Sequence, residues 1–152
     1  MSEIIHVREA TKNDFEALYA LGNATKEFKV SATGEFMERD EFLSAIEGAG
    51  STFLLAAVND QIVGFVYANR QDIERGEKTQ WACLVYLVVA PDMRGMGIAA
   101  QLYAACIAEL KKHGINKVYG WANTEGDGSI VAFMKKQGFA EGHKYLWMDK
   151  EI

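Results

Sequence analysis

Apolar residues recur along this chain at two periods, and the switches between them outline the elements. Residues 4–8 read as a short opening strand. Thr11 and Asp14 then mark a helix start: Thr11 can cap the first turn, and Asp14 suits the positive end of a helix dipole. Phe15, Leu18, Tyr19 and Leu21 form a helical stripe. A second helical stretch covers residues 36–46, with Met37, Phe42, Leu43 and Ile46 expected inward. Residues 28–35, between them, carry no firm period.

Further on, the period falls to that of strands. Residues 53–58 and 62–68 are apolar and partly β-branched, and Asn59-Asp60-Gln61 between them is too short for anything but a hairpin. Residues 71–79 are polar and read as a loop. Residues 81–89 do not alternate, which predicts a strand buried on both faces. The clearest helix covers residues 97–113: Ile98, Leu102, Cys106 and Leu110 recur every four positions, and Gly114 ends it. A strand over 117–122 follows, then a helix over 128–137 with Ile130, Phe133 and Met134 apolar and Gly138 as its stop. A final strand over 144–150 completes the order β-α-α-β-β-β-α-β-α-β. Three successive strands imply antiparallel pairing, and the strand–helix–strand units after them imply parallel pairing. The expected fold class is α/β (α+β): a mixed central sheet with helices on both faces.

Composition narrows the function. The chain has 152 residues, which suits a single domain over 1–152 with a sizeable core. Its net charge of −5 argues against a nucleic-acid binder held by phosphate contacts. The longest apolar run, residues 81–90, is half of the roughly 20 residues a membrane helix needs, so no membrane partner is expected. The N-terminal residues do not resemble a signal peptide. Two cysteines, Cys83 and Cys106, are too few for a disulfide framework, and a reduced cytoplasmic setting is the default. No spacing suits a metal site, so no metal is expected. His113 fits a helix C-terminus, and His6 and His143 have no partner visible by spacing.

The chemistry concentrates where the non-alternating strand meets the long helix. Leu87-Val88-Val89-Ala90-Pro91 ends a strand, and Arg94, Gly95, Met96 and Gly97 open a helix that continues through Ile98, Ala99 and Ala100. A helix start offers unpaired amides and partial positive charge, a seat for phosphate or pyrophosphate. Three readings compete. The glycines can serve only a tight turn and close packing. Alternatively, Gly95-x-Gly97-x-x-Ala100 satisfies a dinucleotide-binding pattern, which would make the chain an oxidoreductase. That pattern wants an acidic residue about 20 positions on, and residues 115–120 have none.

The third reading is a resemblance. Arg94-x-x-Gly97-x-Ala99 after Leu-Val-Val-x-Pro is similar to the acyl-CoA signature of the GCN5-related N-acetyltransferase (GNAT) superfamily. Residues 7–14 are similar to that family's opening strand and first helix, Ile62-Val63-Gly64-Phe65 to its central hairpin, and residues 132–139 to its late helix. The likeness covers nearly the whole chain in order. It implies a single GNAT-type domain with a sheet of about six to seven strands. It also implies an acetyl-CoA-dependent N-acetyltransferase, with acetyl-CoA as co-substrate and a primary amine attacking the thioester directly. The acceptor would be a small-molecule amine or a peptide or protein amine, and homodimers are frequent in the family.

By the same resemblance, main-chain groups of Leu87, Val88 and Val89 would meet the pantetheine arm. The amides of Gly95, Met96, Gly97, Ile98, Ala99 and Ala100 would hold the pyrophosphate, with Arg94 opening the loop. An Asn before the late helix often contacts the cofactor; Asn123 matches by chemistry, while the usual spacing gives Asp127. The chain departs from the family at Met134, where a tyrosine often protonates the departing thiolate. A thioether carries no proton, and releasing a thiolate of pKa about 8.5 at pH 7 costs about 2 kcal/mol. Tyr103, Tyr119 and Tyr145 replace it only by residue type. The base is also unassigned, because neither central strand carries a carboxylate. Carboxylates gather instead at Glu35, Glu38, Asp40 and Glu41, and at Asp72, Glu74 and Glu77, a set that favours a cationic acceptor. The missing acid and base leave a second possibility, a GNAT-fold module that senses acyl-CoA without turnover.

Overall fold

The computed structural model describes residues 3–25, 37–71, 80–124 and 128–152. Its elements are β1 (Ile5–Glu9), α1 (Phe15–Ala24), α2 (Arg39–Glu47), β2 (Ser51–Val58), β3 (Gln61–Asn69), β4 (Trp81–Val89), α3 (Ile98–Lys112), β5 (Lys117–Gly120) and α4 (Ser129–Lys136). Short 3-10 turns precede α1 and follow β4. The strands form one sheet in the order β1-β2-β3-β4-β5; the first four pair antiparallel, and β5 runs parallel to β4. The mixed α/β class with helices on both faces is what the pattern predicted.

The strand count is lower than expected. Among the described residues the sheet has five strands, not six or seven. The strand expected over residues 144–150 is not formed; those residues are exposed and belong to no ladder. Their apolar pattern suits a strand, but a strand exists only where a neighbouring edge takes up its backbone groups.

The two faces of the sheet hold separate cores. On one, Phe42 of α2 meets Phe53 and Phe65 edge-on, with ring centroids 5.5 and 5.9 Å apart, and Leu18 and Tyr19 of α1 close the layer. Tyr19 donates its hydroxyl proton to the Met37 carbonyl (2.8 Å), and Arg39 pairs with Glu16 while lying over the Phe15 and Tyr19 rings. On the other face Ile98, Leu102, Cys106 and Leu110 of α3 are all buried, as their spacing predicted. In α2 the inner face is Phe42, Ala45 and Ile46; Leu43 is only half buried. Asn59 and Asp60 both take positive φ, the turn conformation that matches strand twist in a two-residue hairpin.

Candidate active site

The site begins with an irregularity in β4. Tyr67 pairs with Tyr86 and Ala68 with Leu84, so Val85 is an extra residue, a β-bulge. One extra residue inverts the alternation of faces. Before the bulge, Ala82 and Leu84 pack in the α3 core; after it, Leu87 and Val89 do so instead. Val85, Tyr86 and Val88 turn toward α1 and α2. The main chain inverts with the side chains. The Leu84 carbonyl faces β5, only 2.9 Å from where a Cβ on Gly120 would lie, whereas the Val88 carbonyl faces β3, 2.6 Å from a Cβ on Gly64.

Pairing between β4 and β5 stops at Leu84 and Gly120. Strand β5 ends at that pair, and β4 continues to Val89 with β3 alone. The Ala90 N–H donates to the Val63 carbonyl at 2.8 Å, so by strand alternation the polar groups of Leu87 and Val89 face the side that β5 leaves uncovered. Of the three strand residues singled out in the sequence, Leu87 and Val89 therefore line the opening with main chain, and Val88 is turned to β3. Arg94 Nε donates to the Val89 carbonyl at 3.2 Å.

After β4 the chain turns through Pro91–Met93 into the glycine loop. Gly95 and Gly97 have φ of +81° and +80°, where an L side chain is strained, and a Cβ on either would meet nothing within 4 Å. These glycines therefore serve backbone conformation and an open approach. Close packing falls to Gly64, which lets Ile98 and Leu102 settle on the sheet. The first bond of α3 runs from the Gln101 N–H to the Gly97 carbonyl at 3.1 Å, so the amides of Ile98, Ala99 and Ala100 precede it. Arg94, Gly95, Met96, Gly97 and Ala100 are exposed, Ala99 is half buried, and the buried Ile98 side chain anchors the helix start. A loop with open space and left-handed glycines at a helix start, next to the edge of β4 that β5 leaves uncovered, fits a cofactor with a phosphate or pyrophosphate.

The other candidates scatter. Met134 is buried, with its Cε 3.5 Å from where a Cβ on Gly120 would lie, so it packs at the end of β5. Asn123 is half buried three residues beyond Gly120; Asp127 lies outside the described residues. Tyr103 packs between Phe133 and Phe139 of the α4 region (6.0 and 6.1 Å), Tyr119 packs on Trp81 (5.9 Å), and Tyr145 is exposed. Burial pushes the Cys106 thiol up to about 12, which keeps it protonated.

Tyr86 was not singled out in the sequence. It belongs to the non-alternating run of β4, and only the bulge turns it toward α2. Burial pushes its phenol above the usual tyrosine range, and the Glu41 carboxylate adds to the push. Across the strand pair, Tyr67 lines a cavity of about 540 Å³ with Asp40, Glu41, Ser51, Asn69 and Gln71. Arg70 braces this corner by donating to the Ala49 carbonyl (2.8 Å) and the Thr52 hydroxyl (3.2 Å). Glu38, Asp40 and Glu41 are exposed at α2, while Glu35, Asp72, Glu74 and Glu77 lie outside the described residues. Among the described residues no three potential ligands gather as a metal site, and no helix is long and apolar enough to cross a membrane.

Comparison with known proteins decides the family. The profile of the Acetyltransferase (GNAT) family matches residues 15–139. The chain belongs to the GNAT acetyltransferase family. An uncharacterized N-acetyltransferase of Methanocaldococcus jannaschii is 37% identical over 89 residues, 59% of this chain but only 39% of that protein. The chain thus matches well under half the length of that relative. Among solved structures, the aminoglycoside acetyltransferase AAC(6')-Iy, in complex with a bisubstrate analogue of CoA, superposes with a TM-score of 0.76 at 17% identity, covering 98% of this chain and 99% of that one. The PaiA N-acetyltransferase of Thermoplasma acidophilum, in complex with coenzyme A, superposes with a TM-score of 0.70 at 16% identity, covering 90% and 89%. At these identities the structural likeness speaks for the fold.

Proposed function

We propose that residues 1–152 act as one N-acetyltransferase domain that moves an acetyl group from acetyl-CoA to a primary amine, by direct attack in a ternary complex. One observation carries the reading: β4 runs from Val85 to Val89 without a β5 partner, and the turn after it leads into a left-handed glycine loop that opens α3. The uncovered edge of β4 gives an extended arm main-chain groups to lie along, and the loop gives an anion seat at its end. Main-chain groups of Leu87 and Val89 border the arm. The amides of Gly95 to Ala100 take the pyrophosphate, with Arg94 at the rim and Asn123 on the far side. Acetyl-CoA supplies an activated acyl group as a thioester.

The amine enters from the α1/α2 face, opposite α3. The cavity beside Tyr67 carries Asp40 and Glu41, which favours a cationic amine. A lysine-like amine of pKa about 10.4 is neutral in only a few molecules per ten thousand at pH 7, so a proton acceptor or water chain must assist. Glu41 and Tyr86 lie on that face and are the residues we assign to positioning the amine and its proton. Met134 has no proton to give, so the departing thiolate relies on water or helix-start amides.

The buried thioether at Met134 and a β4 without carboxylates favour one further reading, an acyl-CoA sensor that binds without turnover. Calorimetric titration with acetyl-CoA, followed by thiol release on a panel of amines, separates the two. Binding with release on one amine class supports the enzyme; binding with no release on any class supports the sensor. Gly97→Glu places a negative side chain over the seat, and wild-type affinity for acetyl-CoA in that variant would sink the loop assignment.

A further inference from the structure

Met134 is the buried residue of α4, and the end of that helix fixes where it sits. Gly138 takes φ of +94°. Its N–H donates to the Lys135 carbonyl at 3.0 Å, and the Phe139 N–H reaches back to the Met134 carbonyl at 3.0 Å. A left-handed glycine with these two bonds is a Schellman ending, which holds the last turn of a helix in place. Tyr103 of α3 meets the rings of both Phe133 and Phe139, so the same turn is pinned to α3.

From there the Met134 side chain reaches the place where β5 begins to cover β4. Its Cε and the Leu84 Cβ each lie 3.5 Å from where a Cβ on Gly120 would stand, and the Leu84 carbonyl lies 2.9 Å from it. Leu84 and Gly120 are the last pair between the two strands. An arm lying along β4 from the glycine loop passes Val89 and Leu87 and runs out of free edge at Leu84, because β5 pairs with β4 from that point on. The side chains at this stopping point, Leu84 and Met134, are both apolar and buried.

Resting on the acyl-CoA reading of this site, we propose that Met134 determines which acyl groups the protein accepts: its terminal methyl closes the space beyond the thioester, so that acetyl fits and longer chains collide with it. A thioether brings neither a proton nor a charge to that place. It brings volume on a flexible, unbranched stem. Leu84 is held in a strand paired on both sides, and Gly120 has no side chain, so Met134 is the wall whose size can be changed.

Calorimetric titration of the full chain with free coenzyme A, acetyl-CoA and butyryl-CoA tests this without requiring turnover. The wild type is expected to bind butyryl-CoA about tenfold more weakly than acetyl-CoA. Met134→Ala is expected to bring the two within a few-fold, at some cost in stability from the cavity it leaves. Met134→Leu keeps the volume but withdraws the methyl from Gly120, and it is expected to relax the preference in the same direction. Free coenzyme A, which has no acyl group, is expected to bind all three proteins alike. A second readout reports contact directly. The chain has six methionines, so a spectrum with methyl-labelled methionine is sparse, and the Met134 signal is the one missing from Met134→Leu. That signal is expected to move further with acetyl-CoA than with free coenzyme A. A wild type without a length preference, a preference that both variants retain, or a Met134 methyl indifferent to the acyl group overturns the inference and leaves the acyl-CoA reading standing. If neither coenzyme A nor any thioester binds, that reading fails and the role of Met134 fails with it.

Discussion

Arg94 reaches back from the glycine loop and donates from Nε to the carbonyl of Val89, 3.2 Å away, the last residue of β4. One side chain thereby ties the end of β4 to the loop before α3. Its guanidinium is exposed enough to meet an anion as well. Arg94→Ala is expected to weaken acetyl-CoA binding about tenfold, near 1.4 kcal/mol. Arg94→Lys keeps the charge but loses the planar fork and is expected to recover only part of that. Calorimetry at two salt concentrations checks both; the Ala variant should show the flatter salt dependence.

Gly64 packs under the Val88 carbonyl at a distance no Cβ tolerates, with Leu102 Cδ1 3.1 Å away on the other side. Gly64→Ala must push β4 or α3 outward, at an expected cost of about 1–3 kcal/mol. Urea denaturation followed by circular dichroism measures it. Because β4 and α3 flank the loop, acetyl-CoA affinity is expected to fall in the same variant.

Asp14 is held by a fork from Arg8, with bonds of 2.8 and 2.9 Å, and by the Thr11 N–H at 2.9 Å. The Arg8 pair, foremost, lowers its carboxyl from 3.8 to about 2. Since the folded value lies below the unfolded one, the stabilisation is present above pH 4 and lost as pH falls from 3.8 toward 2. Arg8 is half exposed, so solvent screening leaves about 1 kcal/mol. Asp14→Asn is expected to be less stable by that amount at pH 7 and equal to wild type near pH 2. Urea midpoints at the two pH values test it.

Tyr86→Phe removes the phenol from the acceptor side without disturbing the ring packing. On the proposed function, kcat/KM for the acceptor amine is expected to fall about tenfold while the acetyl-CoA Kd stays unchanged. Glu41→Gln is expected to raise KM for a cationic amine more than for a neutral one, by several-fold. Steady-state kinetics with a charged and an uncharged amine separate the effects, and equal losses on both would refute the charge argument.

Local pattern alone determined much of this protein. The four-residue recurrence from Ile98 to Leu110 fixed α3 and its buried face, the Asn59-Asp60 pair fixed the hairpin, and the unbroken apolar run fixed β4, because burial and turn chemistry act on neighbours in sequence. The loop Arg94 to Ala100 was legible for the same reason: left-handed glycines before a helix are a local requirement. Tertiary structure alone decided the rest. A single extra residue at Val85 inverts which side chains of β4 face α2, and nothing in an all-apolar run announces it, so Tyr86 went unnoticed. Whether residues 144–150 become a strand depends on an edge to pair with, which no periodicity supplies. The point where β5 leaves the edge of β4 uncovered, on which the site rests, is a relation between Leu84 and Gly120, residues 36 positions apart in the chain.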